Sequence, residues 1–251
     1  MTTLIQKVGR LAVKTFRREP KLSATAFNAH YEQLYNLLNT VTTQDLNLDH
    51  QLLYDRGTFN ASRDGAPVTY MQLYEDSDVT ICVFILKRGV RLPLHDHPGM
   101  YGLLKVVYGA VSVQSYSFID TAVEGKQSGL MGSRPLPGVF PANKHQQLKV
   151  CASDPACHLC PGEQNIHEIY SLDGPAAFLD VLSPPYGPDE RLGMERDCHY
   201  YQEIDSSWTA PQLSDGNRVL LVSIPTPSDF WCDQTDYQGP TIGEDGDEHG
   251  S

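Results

Sequence analysis

Two histidines one residue apart, His95 and His97 in LPLHDHPGM, are the most chemically suggestive pair in this chain. On a strand, residues two apart project to one face, so both imidazoles would enter one cavity while Asp96 points away. A third histidine, His167, follows in PGEQNIHEIYS, and glycines frame the first pair at Gly89, Gly102 and Gly109. Three imidazoles on one face of an octahedral metal leave about three positions for other ligands, as in a facial triad but with one negative charge fewer. Such a centre is completed by a substrate that brings its own charge. A thiolate with a neighbouring amine would do this and still leave a position for O2. Oxidising a thiolate to a sulfinate releases as many electrons as O2 accepts when both its atoms are incorporated, so neither 2-oxoglutarate nor a nicotinamide is required.

The elements that would carry these residues begin at Val68, where the texture changes to short segments rich in β-branched and aromatic residues: VTYMQLY, VTICVFIL, LLKVVYGAVSVQSYS, QLKVC, IHEIYSL, AAFLDVL, HYYQEI and RVLLVSI. Turn residues such as Asp76, Gly89, Pro98, Gly109 and Gly174 punctuate them. Many short strands with few helices between them predict a mostly β barrel or sandwich. Upstream, Leu4, Ile5, Val8, Leu11, Ala12 and Phe16 recur at helical spacing, and Ser23 is placed to cap a second helix running to about residue 40. Residues 1–45 are therefore expected to form a helical segment packed on a barrel of residues 46–240, with 241–251 a disordered acidic tail. The Gly- and Pro-rich stretches 122–141 and 184–196 are expected as loops forming walls or lids.

With 251 residues and a formal charge of -12, the chain is long enough for one substantial core and repels nucleic acid and anionic membranes. No apolar run reaches the roughly 18 residues needed to span a bilayer. Six cysteines form no dense framework, which fits a reducing compartment. The first 18 residues carry Lys7, Arg10, Lys14, Arg17 and Arg18 without an acid. They read either as an amphipathic helix with its basic side in water or as a mitochondrial transit peptide, so the expected location is cytoplasmic with mitochondria as the alternative. A monomer is expected.

The paired histidines and the later one resemble the two-part cupin motif, which implies a double-stranded β-helix of jelly-roll type. In that motif a glutamate usually accompanies the first pair. It should fall at Tyr101 or Gly102, so this centre has three neutral histidines and no carboxylate.

The segments LPLHDHPGM, LKVVYG, GPAAFLDVLSPPY, DCHYY and DFWC, in that order, are similar to the family of cysteamine dioxygenases and plant cysteine oxidases. The similarity runs from LIQKVGRLAVKTFR to about Pro240, with an unmatched region between about Ser117 and Pro161. It implies Fe(2+) held by His95, His97 and His167, and O2-dependent oxidation of cysteamine to hypotaurine or of an N-terminal cysteine on proteins, the latter in oxygen sensing and hypoxia. It also implies that Asp180 orients the substrate or its amine, that Tyr186 lies near the pocket, and that Cys198 and Tyr200 are partners in a thioether. Read from the residues alone, Asp180 could instead satisfy the backbone turn before Pro184 and Pro185. Cys198 and Tyr200 could be a buried thiol beside a packed ring. Tyr101 departs from the family by standing where a histidine is expected. Cys157-His-Leu-Cys160, with Cys151, could bind zinc or be a surface loop. Three imidazoles do not select iron by themselves, so a zinc or nickel cupin isomerase or a non-catalytic ligand-binding module is the alternative reading. A vestigial barrel that recruits partners through its acidic surface is a third.

Overall fold

The computed structural model describes residues 2–18, 20–119, 137–204 and 217–243. Helices α1 (Leu4–Phe16) and α2 (Ala24–Leu38) open the chain, and a single turn, α3, spans Ala61–Asp64. The strands are β1 (Val68–Glu75), β2 (Thr80–Leu86), β3 (Arg91–Asp96), β4 (Tyr101–Phe118), β5 (Val139–Lys144), β6 (Leu148–Cys151) and β7 (Cys157–Leu159). They continue as β8 (Ile166–Ser183), β9 (Gly187–Asp189), β10 (Met194–Arg196), β11 (Tyr200–Ile204), β12 (Arg218–Ile224) and β13 (Cys232–Gln234).

The long strands β4 and β8 organise the barrel. They pair antiparallel from Tyr101↔Ser183 to Tyr116↔Ile166, with irregularities around Tyr108. Gly109 sits at that irregularity with φ +68, and a Cβ there would lie 2.3 Å from the carbonyl oxygen of Pro175, so only glycine fits. One half of this ribbon continues through β2, β1 and β13, and the other through β3, β11, β12 and β5. Side-chain alternation then sorts the residues. Phe178 packs with Leu86, Leu92, Leu104, Val113 and Ile169 in one cluster. Its neighbours Leu179 and Val181 face a second cluster containing Ile5, Val8, Ala12 and Phe16 of α1 and Leu34 and Leu38 of α2. Thr3 and Gln6 form a capping box on α1, and Ser23 caps α2 as expected.

The fold is the mostly β cupin barrel with N-terminal helices that the sequence led us to expect. IHEIYSL and AAFLDVL merge into the single strand β8, whose pairing with β4 is interrupted between Leu172 and Ala177, where Asp173 adopts φ 59. Residues 139–141 of the expected loop belong to β5, and 120–136 lie outside the described residues. The expected loop 184–196 carries the small β9–β10 hairpin. Residues 241–242, expected as part of the tail, are packed against α1. Ile242 is buried and its Cγ2 would lie 2.3 Å from a Cβ at Gly9, while Gln6 Nε2 donates to the Thr241 carbonyl. One apolar residue leaves no periodicity to read. Residues 244–251 lie outside the described ones. Among the described residues no helix is long and apolar enough to cross a membrane.

Candidate metal centre

β3 and β8 lie side by side with His95 opposite His167, and His97 follows at the end of β3. The backbone N–H of His97 donates to the Asn165 carbonyl at 2.7 Å, which ties the second histidine to the segment leading into the third. Each of the three offers a ring nitrogen within 4.8 Å of the others, and all three are buried. The ring centroids are 4.7 to 4.8 Å apart, and the Nε2 atoms of His97 and His167 are 3.1 Å apart. Two nitrogens bound at about 2.1 Å and at right angles on one metal would be roughly 3.0 Å apart, so the spacing fits a shared ion. Among the described residues this is the one cluster of His, Cys, Asp and Glu that could hold a metal.

The tautomers follow from the partners. His95 Nδ1 lies 2.7 Å from the Pro93 carbonyl and must donate to it, which frees Nε2 as a ligand. The Tyr186 hydroxyl donates to the Asp96 carbonyl at 2.5 Å, so it accepts from His97 Nδ1 at 2.8 Å and again leaves Nε2 free. Burial, reinforced by the neighbouring rings, pushes His97 and His167 well below the ordinary imidazole range, and burial also lowers His95. All three are neutral at pH 7, as metal ligands must be.

The structure also explains the missing carboxylate. Tyr101 turns to the outside, where its ring packs against Phe16, Phe27 and Tyr31 at 5.2 to 6.4 Å, so it does not alter the pocket. Gly102 faces inward, but a Cβ there would lie 2.9 Å from Leu159 Cγ and 3.0 Å from Leu182 Cδ2. The space a glutamate would use is already filled.

The PCO_ADO family profile matches residues 37–242. The chain belongs to this family. The 2-aminoethanethiol dioxygenase of Mus musculus is 35% identical to it, with 96% of this chain and 97% of the relative covered. The Homo sapiens protein of the same name is 33% identical at the same coverage. Plant cysteine oxidase 2 of Arabidopsis thaliana is 24% identical, with 96% of this chain and 83% of the relative covered.

Beside His167 lies a cavity of about 20 Å³, lined among others by Asp180, Ser115, Cys157 and Leu159, and among the described residues no Arg or Lys lines it. Asp180 sits mid-strand on β8 opposite Cys82 and Leu104, on the inward face. Burial raises its carboxyl to about 7, with the Val181 amide as the only opposing influence. The turn at Pro184 and Pro185 is held by other groups. Ser183 Oγ donates to the Asp78 carbonyl, and Arg196 donates to the carbonyls of Pro185 and Pro98. Arg91, the cation nearest in sequence to His95, pairs with Glu168 at 3.0 Å and Asp229 at 3.4 Å instead.

Cys198 lies against the hydroxyls of Tyr186 and Tyr200, and burial pushes its thiol up to about 11. Tyr200 pairs with His95 across the sheet. The fastening residue is Asp96, which the alternation argument sets aside as facing away. Its carboxylate accepts the His199 backbone N–H at 2.8 Å and the Tyr201 hydroxyl at 2.9 Å, and its backbone N–H donates to the His199 carbonyl. One buried side chain thus joins the HxH segment to DCHYY. The signal was available: an acid between two ligands has a buried face to satisfy.

Cys151, Cys157 and Cys160 do not converge on a metal among the described residues. They are free thiols on a segment that runs along the edge of β4.

Proposed function

We propose that the protein is an iron(II)-dependent dioxygenase that converts cysteamine to hypotaurine or an N-terminal cysteine of a protein to its sulfinic acid. Membership of the PCO_ADO family supports thiol dioxygenation as the reaction. The observation that carries the reading is a buried, neutral trio of histidines with no carboxylate in the ligand cluster among the described residues, which leaves the balancing charge to the substrate thiolate. Bound iron(II) would supply the redox chemistry by which O2 takes up the electrons the thiolate gives in becoming a sulfinate.

The remaining roles belong to the chain. His95, His97 and His167 hold the metal through Nε2, and Tyr186 fixes the tautomer of His97 while capping the Asp96 carbonyl. Asp180 is the acceptor for the substrate amine: a carboxyl raised to about 7 by burial becomes ionised when an ammonium approaches, because the opposite charge offsets the lost hydration. We also propose the thioether between Cys198 and Tyr200, whose formation would show as the loss of two hydrogens in the intact mass. The buried apolar face of α1 supports a structural helix, and we propose a cytoplasmic location and a monomer.

Metal analysis of the purified protein, with O2 uptake on cysteamine and on a peptide beginning with cysteine, tests the reading. Iron, one O2 consumed per thiol and a product gaining two oxygens are expected. Zinc or nickel with no O2 uptake would transfer the protein to the isomerase or binding-module class.

A further inference from the structure

The cavity beside His167 and Asp180 is small, about 20 Å³, and Leu159, Cys157 and Leu148 form part of its wall. The side chains of this wall therefore limit what can enter. One wall is β7, a three-residue strand whose register sets Leu159 opposite Gly102 and Cys157 opposite Leu104. Paired residues share a face, so Leu159 and Cys157 point inward with Gly102 and Leu104 while His158 points out.

The backbone of this wall is pinned at both ends. Upstream, the buried Lys105 donates to the carbonyls of Ala152 at 2.7 Å and Asp154 at 2.6 Å, and the Ala156 N–H donates to Asn39 Oδ1 at 2.7 Å. Downstream, Cys160 and Glu163 exchange backbone hydrogen bonds at 3.0 and 3.1 Å, and the Gln164 N–H donates to Ser117 Oγ at 2.9 Å. With the backbone held, the part free to move is a side chain. Leu159 is placed for this. It is buried, it rests on Gly102 and Leu182 across the inward face, and its neighbour on the rim, Leu148, is exposed. Turning an isobutyl group between rotamers is a fast motion that needs no backbone change.

We propose that Leu159 is the gate and size gauge of the substrate chamber: its side chain closes the cavity and swings aside for the thiol, and its bulk limits what may follow the thiol and amine. This deepens the thiol dioxygenase reading and rests on it. Cys157, in the same wall, serves as an internal reporter of access.

Two readouts on wild type, Leu159→Ala and Leu159→Val test the proposal. In metal-free protein, alkylation of Cys157 by iodoacetamide, followed by peptide mass analysis, should be about tenfold faster once the gate is shortened, since thiol reactivity follows access. In iron-loaded protein, kcat/KM is measured for N-terminal cysteine peptides with glycine or tryptophan second. The tryptophan-to-glycine ratio should rise about tenfold in Leu159→Ala, the usual scale for altering an apolar wall, and less in Leu159→Val. Unchanged alkylation in both variants overturns the gate, and an unchanged ratio overturns the gauge. If Leu159→Ala does not fold, the valine variant decides both. If wild type oxidises no thiol, the dioxygenase reading fails while alkylation still decides the gate.

Discussion

The chamber should discriminate strongly against free L-cysteine, and the structure supplies a gauge of how strongly. Burial lifts the Asp180 carboxyl from its ordinary 3.8 to about 7. At ~1.4 kcal/mol for each tenfold change in an equilibrium constant, this corresponds to roughly 4 kcal/mol of lost hydration for one carboxylate in this wall. L-Cysteine would bring a second carboxylate into the same surroundings, where no Arg or Lys among the described residues lines the cavity and Arg91 is engaged by Glu168 and Asp229. Cysteamine has no carboxylate, and a peptide's first cysteine carries an uncharged amide in its place. The full cost corresponds to about a thousandfold in kcat/KM, and even partial relief by the metal's charge should leave at least about tenfold. The assay is kcat/KM for cysteamine, a cysteinyl-glycine amide, L-cysteine and L-cysteine methyl ester in iron-loaded, air-saturated enzyme. The ester should recover most of the loss, since it removes the charge and keeps the bulk. L-Cysteine within about threefold of cysteamine would refute the reasoning and require a cation that reaches the chamber.

Replacing His95, His97 or His167 by alanine should remove most of the bound metal, measured by elemental analysis, while far-UV circular dichroism stays unchanged, because strand pairing does not depend on the ion. Tyr186→Phe removes the acceptor for His97 Nδ1 and should weaken metal affinity by about 10- to 100-fold, measured by competition with a chelator. For Asp180 the folded carboxyl is raised from 3.8 to about 7, so the stability contributed by its acid form is full below 3.8 and is lost as pH rises to about 7. Asp180→Asn should therefore raise the Tm of the metal-free protein at pH 8 and leave it nearly unchanged at pH 4. Deleting residues 2–17 uncovers the cluster that buries Ile5, Val8, Ala12 and Phe16, and should lower Tm or cause aggregation, as seen by scanning calorimetry and light scattering.

The histidine centre was legible because its signal is local: an HxH spacing on a strand and one later histidine in a similar frame need only the period of a strand to converge. The fold class was legible for the same reason, from β-branched runs and turn residues. What could not be read depends on register between distant strands. Asp96 and His199 meet only because β11 pairs beside β3, and nothing within LPLHDHPGM records that partner. Lys105 in LKVVYG is buried because two carbonyls of the 151–156 turn fold over it, a partner the motif does not record. The segment around Cys157 and Cys160 invited a zinc reading by spacing alone. Its inward residues are instead fixed by pairing with Gly102 and Leu104, a match no spacing rule contains.

That pairing bears on why the chemistry works with three histidines. A cupin glutamate would neutralise half the charge of a divalent ion before any substrate arrived. At Gly102 there is no side chain, and Leu159 and Leu182 occupy the volume one would need. The three imidazoles are held neutral by burial, and Asp180 in the same wall is itself raised to about 7, so it is only partly ionised near neutrality until a cation approaches it. With a divalent ion held by these histidines, the unbalanced charge would fall on the substrate. A thiol near such an ion is drawn toward its thiolate form, and the proton it sheds leaves a group able to reduce O2. On the proposed reading an aminothiol would satisfy both demands of the chamber at once, its sulfur answering the metal and its ammonium answering Asp180, whereas a simple alkyl thiol would answer only the first.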